Sequence, residues 1–278
     1  MKGRLILLPA GLWLTVFMVV PLVILLVFSV GHRDDLGRVA LTGLSFDNYR
    51  RFFCGPYLLT LMRSMTLAAM TTVICLVLGT LTATWMAFSV PAKYKGLLMT
   101  LFVLPLWTSF LLRIYAWITI LRPTGIFSDV LSALGWQNPP FLLYSPYAVL
   151  LGMVYNYLPY MVLPVYAALE KLDVRLIEAA ADLGATPLQT FFKVTVPLSS
   201  RGLIAGSIMV FVPALGDYVT PDLLGGGKTM FIGNLIQNQF LAVRDWAFGC
   251  AVSTLLIIIV AAAIWVYLKY GETETVKA

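Results

Sequence analysis

Two ionisable side chains, Arg113 and Asp217, stand inside long apolar stretches of this sequence. Burying a charge in hydrocarbon is costly, so each needs a partner or a use. If both stretches are helices rising from one side of a membrane, Arg113 lies about 24 Å above the start of its span and Asp217 about 22 Å above its own, at roughly 1.5 Å per residue. At that similar depth they can form an ion pair. The other reading leaves Asp217 facing a cation along a pathway, where Pro213 and Gly216 weaken the helix and free backbone carbonyls toward a cavity. Aromatic residues crowd the same half: Trp107, Tyr115, Trp117, Tyr155, Tyr157, Tyr160 and Tyr218. Such rings anchor spans at the interface or meet an ammonium group face-on. Asn156 and Asp222 add polar contacts. The substrate-pathway candidates are therefore Trp107, Arg113, Tyr115, Asp217, Tyr218 and Asp222.

Catalytic chemistry is poorly provided for. Gly225-Gly226-Gly227-Lys228-Thr229 looks like the end of a phosphate-binding loop, but the position that needs the first glycine is Asp222, and no strand precedes it. Cys54, Cys75 and Cys250 lack metal or redox spacing, and His32 alone makes no metal site. No paired carboxylates and no His/Cys cluster fall within the apolar runs, which argues against a membrane-embedded enzyme. If ATP drives the process, a second polypeptide must hold it.

The elements that position these residues are membrane helices. At 60% hydrophobic, 12% charged and a mean hydropathy of +0.90, the chain is far from the roughly 25% charged residues of soluble domains. It reads as an all-α integral membrane protein, one domain over 1–278, with spans at about 5–30, 64–90, 97–121, 142–169, 202–224 and 248–268. The first run is too long for the apolar region of about 7–15 residues in a signal peptide. The net charge of +6 suits anionic lipid and gives no support to nucleic-acid binding. Polar loops fall at 31–63, with a surface helix over 46–53 behind Ser45, and at 225–246. Six spans put both ends on one side, and the short basic turn at 91–95 favours the cytoplasm for it.

Residues 170–201 form a polar loop with its own helix signals. Asp173 is an N-cap for a helix over Val174 to Leu183, and Gly184 falls where a left-handed residue would end it. Thr186-Pro187-Leu188-Gln189 restarts the chain with a capping-box pair and proline at the first helical position. Leu172, Leu176, Ala179 and Leu183 share one face. The loop is a short, stiff peg in two pieces.

Glu178-Ala179-Ala180, three residues, Gly184, nine residues, then Val194-x-Val196-Pro197 resembles the EAA loop of permease subunits in binding-protein-dependent ABC importers. Valines stand where that family more often has isoleucine and leucine. Segments 104–109, 113–117, 213–226 and 232–236 are similar to the spermidine/putrescine branch, most of all its B-type subunit. The resemblance implies a type I importer permease with six transmembrane helices in a bacterial inner membrane. It also implies a second, homologous permease, a dimer of ATPase subunits that binds ATP and Mg, and a periplasmic polyamine-binding protein. Glu178, Ala179, Ala180, Gly184 and Pro197 would couple to the ATPase, and polyamine would cross by alternating access. Two rivals remain. One is a permease of the same fold for sulfate or ferric iron, whose sign would be a cationic cavity around Arg113 with Asp217 neutralised. The other is an ion-coupled secondary transporter, which should show an internal repeat with paired interrupted spans.

Overall fold

A computed structural model describes residues 2–34, 39–41, 43–136 and 142–271. Arg38, Pro139, Pro140 and the tail beyond Gly271 lie outside the described residues. The chain packs as two compact units, residues 1–62 with 232–265, and residues 63–231 with 266–278.

The first unit opens with α1 (Lys2–Ser29), apolar, with its described side chains exposed from 11 to 24 and Ser29 buried at its end. A two-residue hairpin follows, β1 (His32–Arg33) against β2 (Val39–Ala40). Next comes α2 (Asp47–Cys54), the expected surface helix, where the Ser45 hydroxyl accepts from the Asp47 N–H. Asn48 Nδ2 donates to the Gly31 carbonyl at 2.8 Å and the Tyr49 hydroxyl to Ser29 Oγ at 2.7 Å, fastening α2 to the end of α1. Arg51 bridges 194 residues to Asp245 at 2.8 Å, its guanidinium 4.2 Å above the Phe248 ring. Sequence spacing carries no signal for so distant a pair.

In the second unit the helices follow the apolar runs but break where backbone chemistry demands. Helix α3 (Tyr57–Phe88) spans both units by sequence and starts earlier than the expected 64. The expected third span at 97–121 is not continuous: α4 (Ala92–Trp107) stops, Thr108 and Ser109 are extended at ψ 151° and 132°, and α5 (Phe110–Leu121) restarts. Pro105 withholds a ladder N–H, and Thr108 turns its backbone N–H and its hydroxyl back to the Pro105 carbonyl, at 3.2 and 2.7 Å. The break removes the basis for counting the depth of Arg113 along one helix. A short α6 (Ile126–Ala133) follows. Helix α7 (Pro146–Leu169) starts with Ser145 capping the Ala148 N–H and proline in the first turn.

The peg consists of α8 (Val174–Asp182), α9 (Pro187–Thr190), a π-turn at Phe191–Thr195 and α10 (Val196–Leu198). Next come α11 (Ser200–Gly216) and α12 (Val219–Gly225), so the expected span at 202–224 is two helices. Then come α13 (Ile232–Leu241), in the first unit, and α14 (Trp246–Gly271), which belongs to that unit as far as Trp265. Among the described residues, five helical stretches are long and apolar enough to cross a membrane, or six if Pro187–Leu198 and Ser200–Gly216, bent by 73°, count as one.

Helices α7 and α11 form the core of the second unit. Buried Gly202, Gly206, Val210 and Ala214 recur every fourth residue on α11. Small residues let membrane helices approach closely. A Cβ on Gly202 would lie 2.6 Å from the Ala168 Cβ and 2.7 Å from the Pro164 carbonyl oxygen, while Met161 fills the notch over Gly206. Gly202→Val should therefore cost about 1–3 kcal/mol and lower the melting temperature in detergent. Gly96→Ala, with nothing within 4 Å of the added carbon, should leave it unchanged. Equal melting of the two variants would contradict this packing.

Candidate functional site

The peg is built by local rules at each joint. Asp173 accepts the Arg175 N–H at 3.0 Å and starts α8. At the other end the Gly184 N–H bonds the Ala181 carbonyl at 2.9 Å and the Ala185 N–H the Ala180 carbonyl at 3.0 Å, a Schellman closure, with Gly184 left-handed at φ 80°. The capping box then forms as expected: Gln189 N–H to Thr186 Oγ1 at 3.3 Å and Thr186 N–H to Gln189 Oε1 at 3.0 Å. Glu178 is exposed, and its side chain makes no hydrogen bond or ion pair among the described residues. Ala179 is exposed and Ala180 half-buried. Leu183 is 89% exposed and Leu188 68%, both apolar and unpartnered at the tip.

The π-turn has no counterpart in the sequence reading. Here the Val196 N–H reaches back five residues to the Phe191 carbonyl. Pro197 explains it: proline has no N–H to give, and in an α-helix its ring would strike the carbonyl four residues earlier. A local widening accommodates both conditions. The chain then turns at Ser199, whose hydroxyl donates to the Thr195 carbonyl at 2.7 Å. The proline thus connects the peg to α11 through a bend.

The second focus is the break between α11 and α12. The Asp217 carboxylate accepts four hydrogen bonds: Val219 N–H at 3.0 Å and Thr220 N–H at 3.1 Å on Oδ1, Thr220 hydroxyl at 2.6 Å and Tyr157 hydroxyl at 3.2 Å on Oδ2. A carboxylate offers about four lone-pair sites, so all are engaged. Asp217 caps α12 and ties it to α7. Arg113 makes no ion pair with it; the Arg113 Nε and Nη1 are buried with no hydrogen bond among the described residues, and the guanidinium lies 5.7 Å from the Phe110 ring. Of the two sequence readings, the pair is the one the geometry rejects. Tyr157 and Thr220, the true partners, were not legible, because one lies 60 residues away and the other needed the helix break to come within reach.

Residues 76–269 match the family model described as binding-protein-dependent transport system inner membrane component. The chain belongs to that family. The permease is 41% identical over 92% of both chains to the spermidine/putrescine transport system permease protein PotB of Escherichia coli, and 40% identical to PotB of Haemophilus influenzae over 94% of this chain and 91% of that one. It shares its fold with a bacterial ABC transporter that imports alginate, at TM-score 0.77 and 17% identity, over 96% of this chain and 95% of that one.

The remaining candidate residues of the permease are scattered. Trp107 ends α4 and is 82% exposed, while Tyr115 on α5 and Tyr218 at the break are about half exposed. Asp222 is exposed on α12. Trp117 stacks edge-on with Tyr155 at 5.4 Å, and Tyr157 lies 6.3 Å from Tyr160. These rings form separate contacts. The glycines at 225–227 are not a phosphate cradle: Gly226 and Gly227 turn the chain in left-handed conformations, a Cβ on Gly226 would strike the Tyr144 ring, and Lys228 Nζ donates to the Tyr144 carbonyl.

Proposed function

We propose that this permease is one of two membrane subunits of an ATP-driven importer that receives polyamine from a periplasmic binding protein and passes it to the cytoplasm by alternating access. Both termini and the 170–201 peg lie in the cytoplasm, and a dimeric ATPase subunit binds ATP and Mg. The observation that carries the coupling role is the peg itself. Its two helices α8 and α9 each start on a side-chain cap, and it presents bare Leu183 and Leu188 outside the membrane helices. Exposed apolar side chains on a rigid extramembrane element suit a protein partner. Glu178, Ala179, Ala180 and Gly184 form the docking helix and its end, and Pro197 sets the bend through which it moves α11.

The substrate class rests on likeness to relatives named for spermidine and putrescine. Exposed Asp222 and the faces of Trp107, Tyr115 and Tyr218 are of the kind that attracts ammonium groups. One observation favours an anion instead: Nε and Nη1 of Arg113 are buried with no hydrogen bond among the described residues, while Asp217 is engaged elsewhere. Competition separates the two. In cells carrying the whole system, uptake of labelled spermidine should fall with excess putrescine and not with excess sulfate. Sulfate uptake insensitive to polyamine would transfer the assignment to an anion.

A further inference from the structure

Beside the π-turn lies a slot of about 380 Å³ between α3, the peg and α11. Leu76 and Thr80 form one wall, Phe192 and Val196 the second, Leu203 and Ser207 the third. Its two hydroxyls are spent on their own helices: Thr80 donates to the Leu76 carbonyl and Ser207 to the Leu203 carbonyl. The slot is therefore walled almost wholly by hydrocarbon, with only the acceptor lone pairs of the two hydroxyls left over. Water needs two to four polar partners to settle in a cavity, so this wall holds it weakly.

Size separates the apolar occupants. Ten residues of helix, at about 10 Å diameter and 1.5 Å rise, fill roughly 1,200 Å³, more than the slot encloses. A single flexible hydrocarbon chain fits where a helix does not. The slot also lies at the right depth. Leu81 is about 10 Å from the end of α3, and Ser207 about 10 Å from the start of α11, at 1.5 Å per residue. Both helix ends point to the same boundary, where Lys193 on the π-turn and Arg201 in the first turn of α11 are exposed. No acidic residue stands between Asp182 and Asp217. Long basic side chains reach from such positions to lipid headgroups.

We propose that this slot holds one acyl chain of an anionic phospholipid, whose headgroup is bound by Lys193 and Arg201. The occupant shares its wall with Phe191, Phe192 and Val196, so it braces the turn that joins the peg to α11. The proposal rests on the reading that the peg faces the cytoplasm and couples to the ATPase.

The test uses the assembled transporter in nanodiscs of phosphatidylcholine, doped with phosphatidylglycerol or phosphatidylcholine that carries a photoreactive acyl chain. Crosslinks are mapped by mass spectrometry. Phosphatidylglycerol should label the 76–81 and 191–207 peptides roughly tenfold more than phosphatidylcholine at equal fraction, since each basic residue near a membrane adds attraction to anionic lipid. Lys193→Gln with Arg201→Gln should remove the preference, and Ile204→Trp should block labelling by both lipids. Equal labelling by the two lipids, or no labelling because a helix of the second permease covers the slot, would overturn the proposal. Labelling is read without transport. Headgroup preference without polyamine uptake would count against the substrate assignment alone, and uptake without preference against the lipid site alone.

Discussion

Gly184→Val should reduce ATP-driven uptake by at least about tenfold, the equivalent of about 1.4 kcal/mol in the coupling step, while the chain inserts and accumulates normally. Gly184 sits at φ 80°, and an added Cβ would meet nothing within 4 Å. The penalty is therefore one of backbone conformation, about 1–2 kcal/mol for a residue with a Cβ in the left-handed region and greater for a β-branched one. That sum is small beside the stability of the whole protein and large for a single joint. It is enough to unwind the Schellman closure and swing α8 away from α9. Asparagine tolerates the left-handed conformation, so Gly184→Asn should keep most of the uptake. Uptake per unit of chain in the membrane, with co-purification of the ATPase subunit, checks both variants. Full uptake by the valine variant would show that the angle of the peg does not matter.

At the broken span, Asp217→Ala and Asp217→Asn should part company. Alanine leaves the Val219 and Thr220 N–H groups, the Thr220 hydroxyl and the Tyr157 hydroxyl without their acceptor. Each buried donor so orphaned costs about 1–3 kcal/mol, and the lost cap is part of that sum. Asparagine can replace the whole set, its oxygen taking the two backbone N–H groups and its amide donating to the two hydroxyls, which also accept. Asp217→Ala should lose at least about tenfold in uptake and melt earlier, whereas Asp217→Asn should stay within about threefold, for a difference under about 0.7 kcal/mol. The readouts are uptake normalised to abundance, and melting in detergent. If asparagine is as inactive as alanine at normal stability, the negative charge itself serves the pathway, and the capping account of Asp217 fails.

What could be read from the sequence divides by range. Asp173, Gly184 and the Thr186–Gln189 box act on neighbours within a turn or two, so residue type and spacing were enough to place them, and the structure has each in its expected role. The helix breaks were half legible. Pro213 and Gly216 marked the one before Asp217. The break at Thr108–Ser109 was not read, because the apolar run over 97–121 reads as one helix in spite of Pro105. The π-turn follows from Pro197, but only once the peg is known to run unbroken from Pro187 to Leu198. Long-range pairing was out of reach: Asp217 with Tyr157, Arg51 with Asp245, and Met161 wedged over Gly206. Depth counting along an assumed straight helix paired Arg113 with Asp217, and the kink before Phe110 is why that arithmetic failed.

In the proposed mechanism this permease imports polyamine with energy delivered through the peg. Its most direct test is uptake of labelled spermidine into proteoliposomes that contain the permease with its partner permease and ATPase, supplied with binding protein. The account predicts uptake that requires both ATP and binding protein, survives Gly184→Asn and is lost in Gly184→Val. Uptake independent of ATP, or none in a complex whose binding protein retains spermidine and whose ATPase is active, would contradict it.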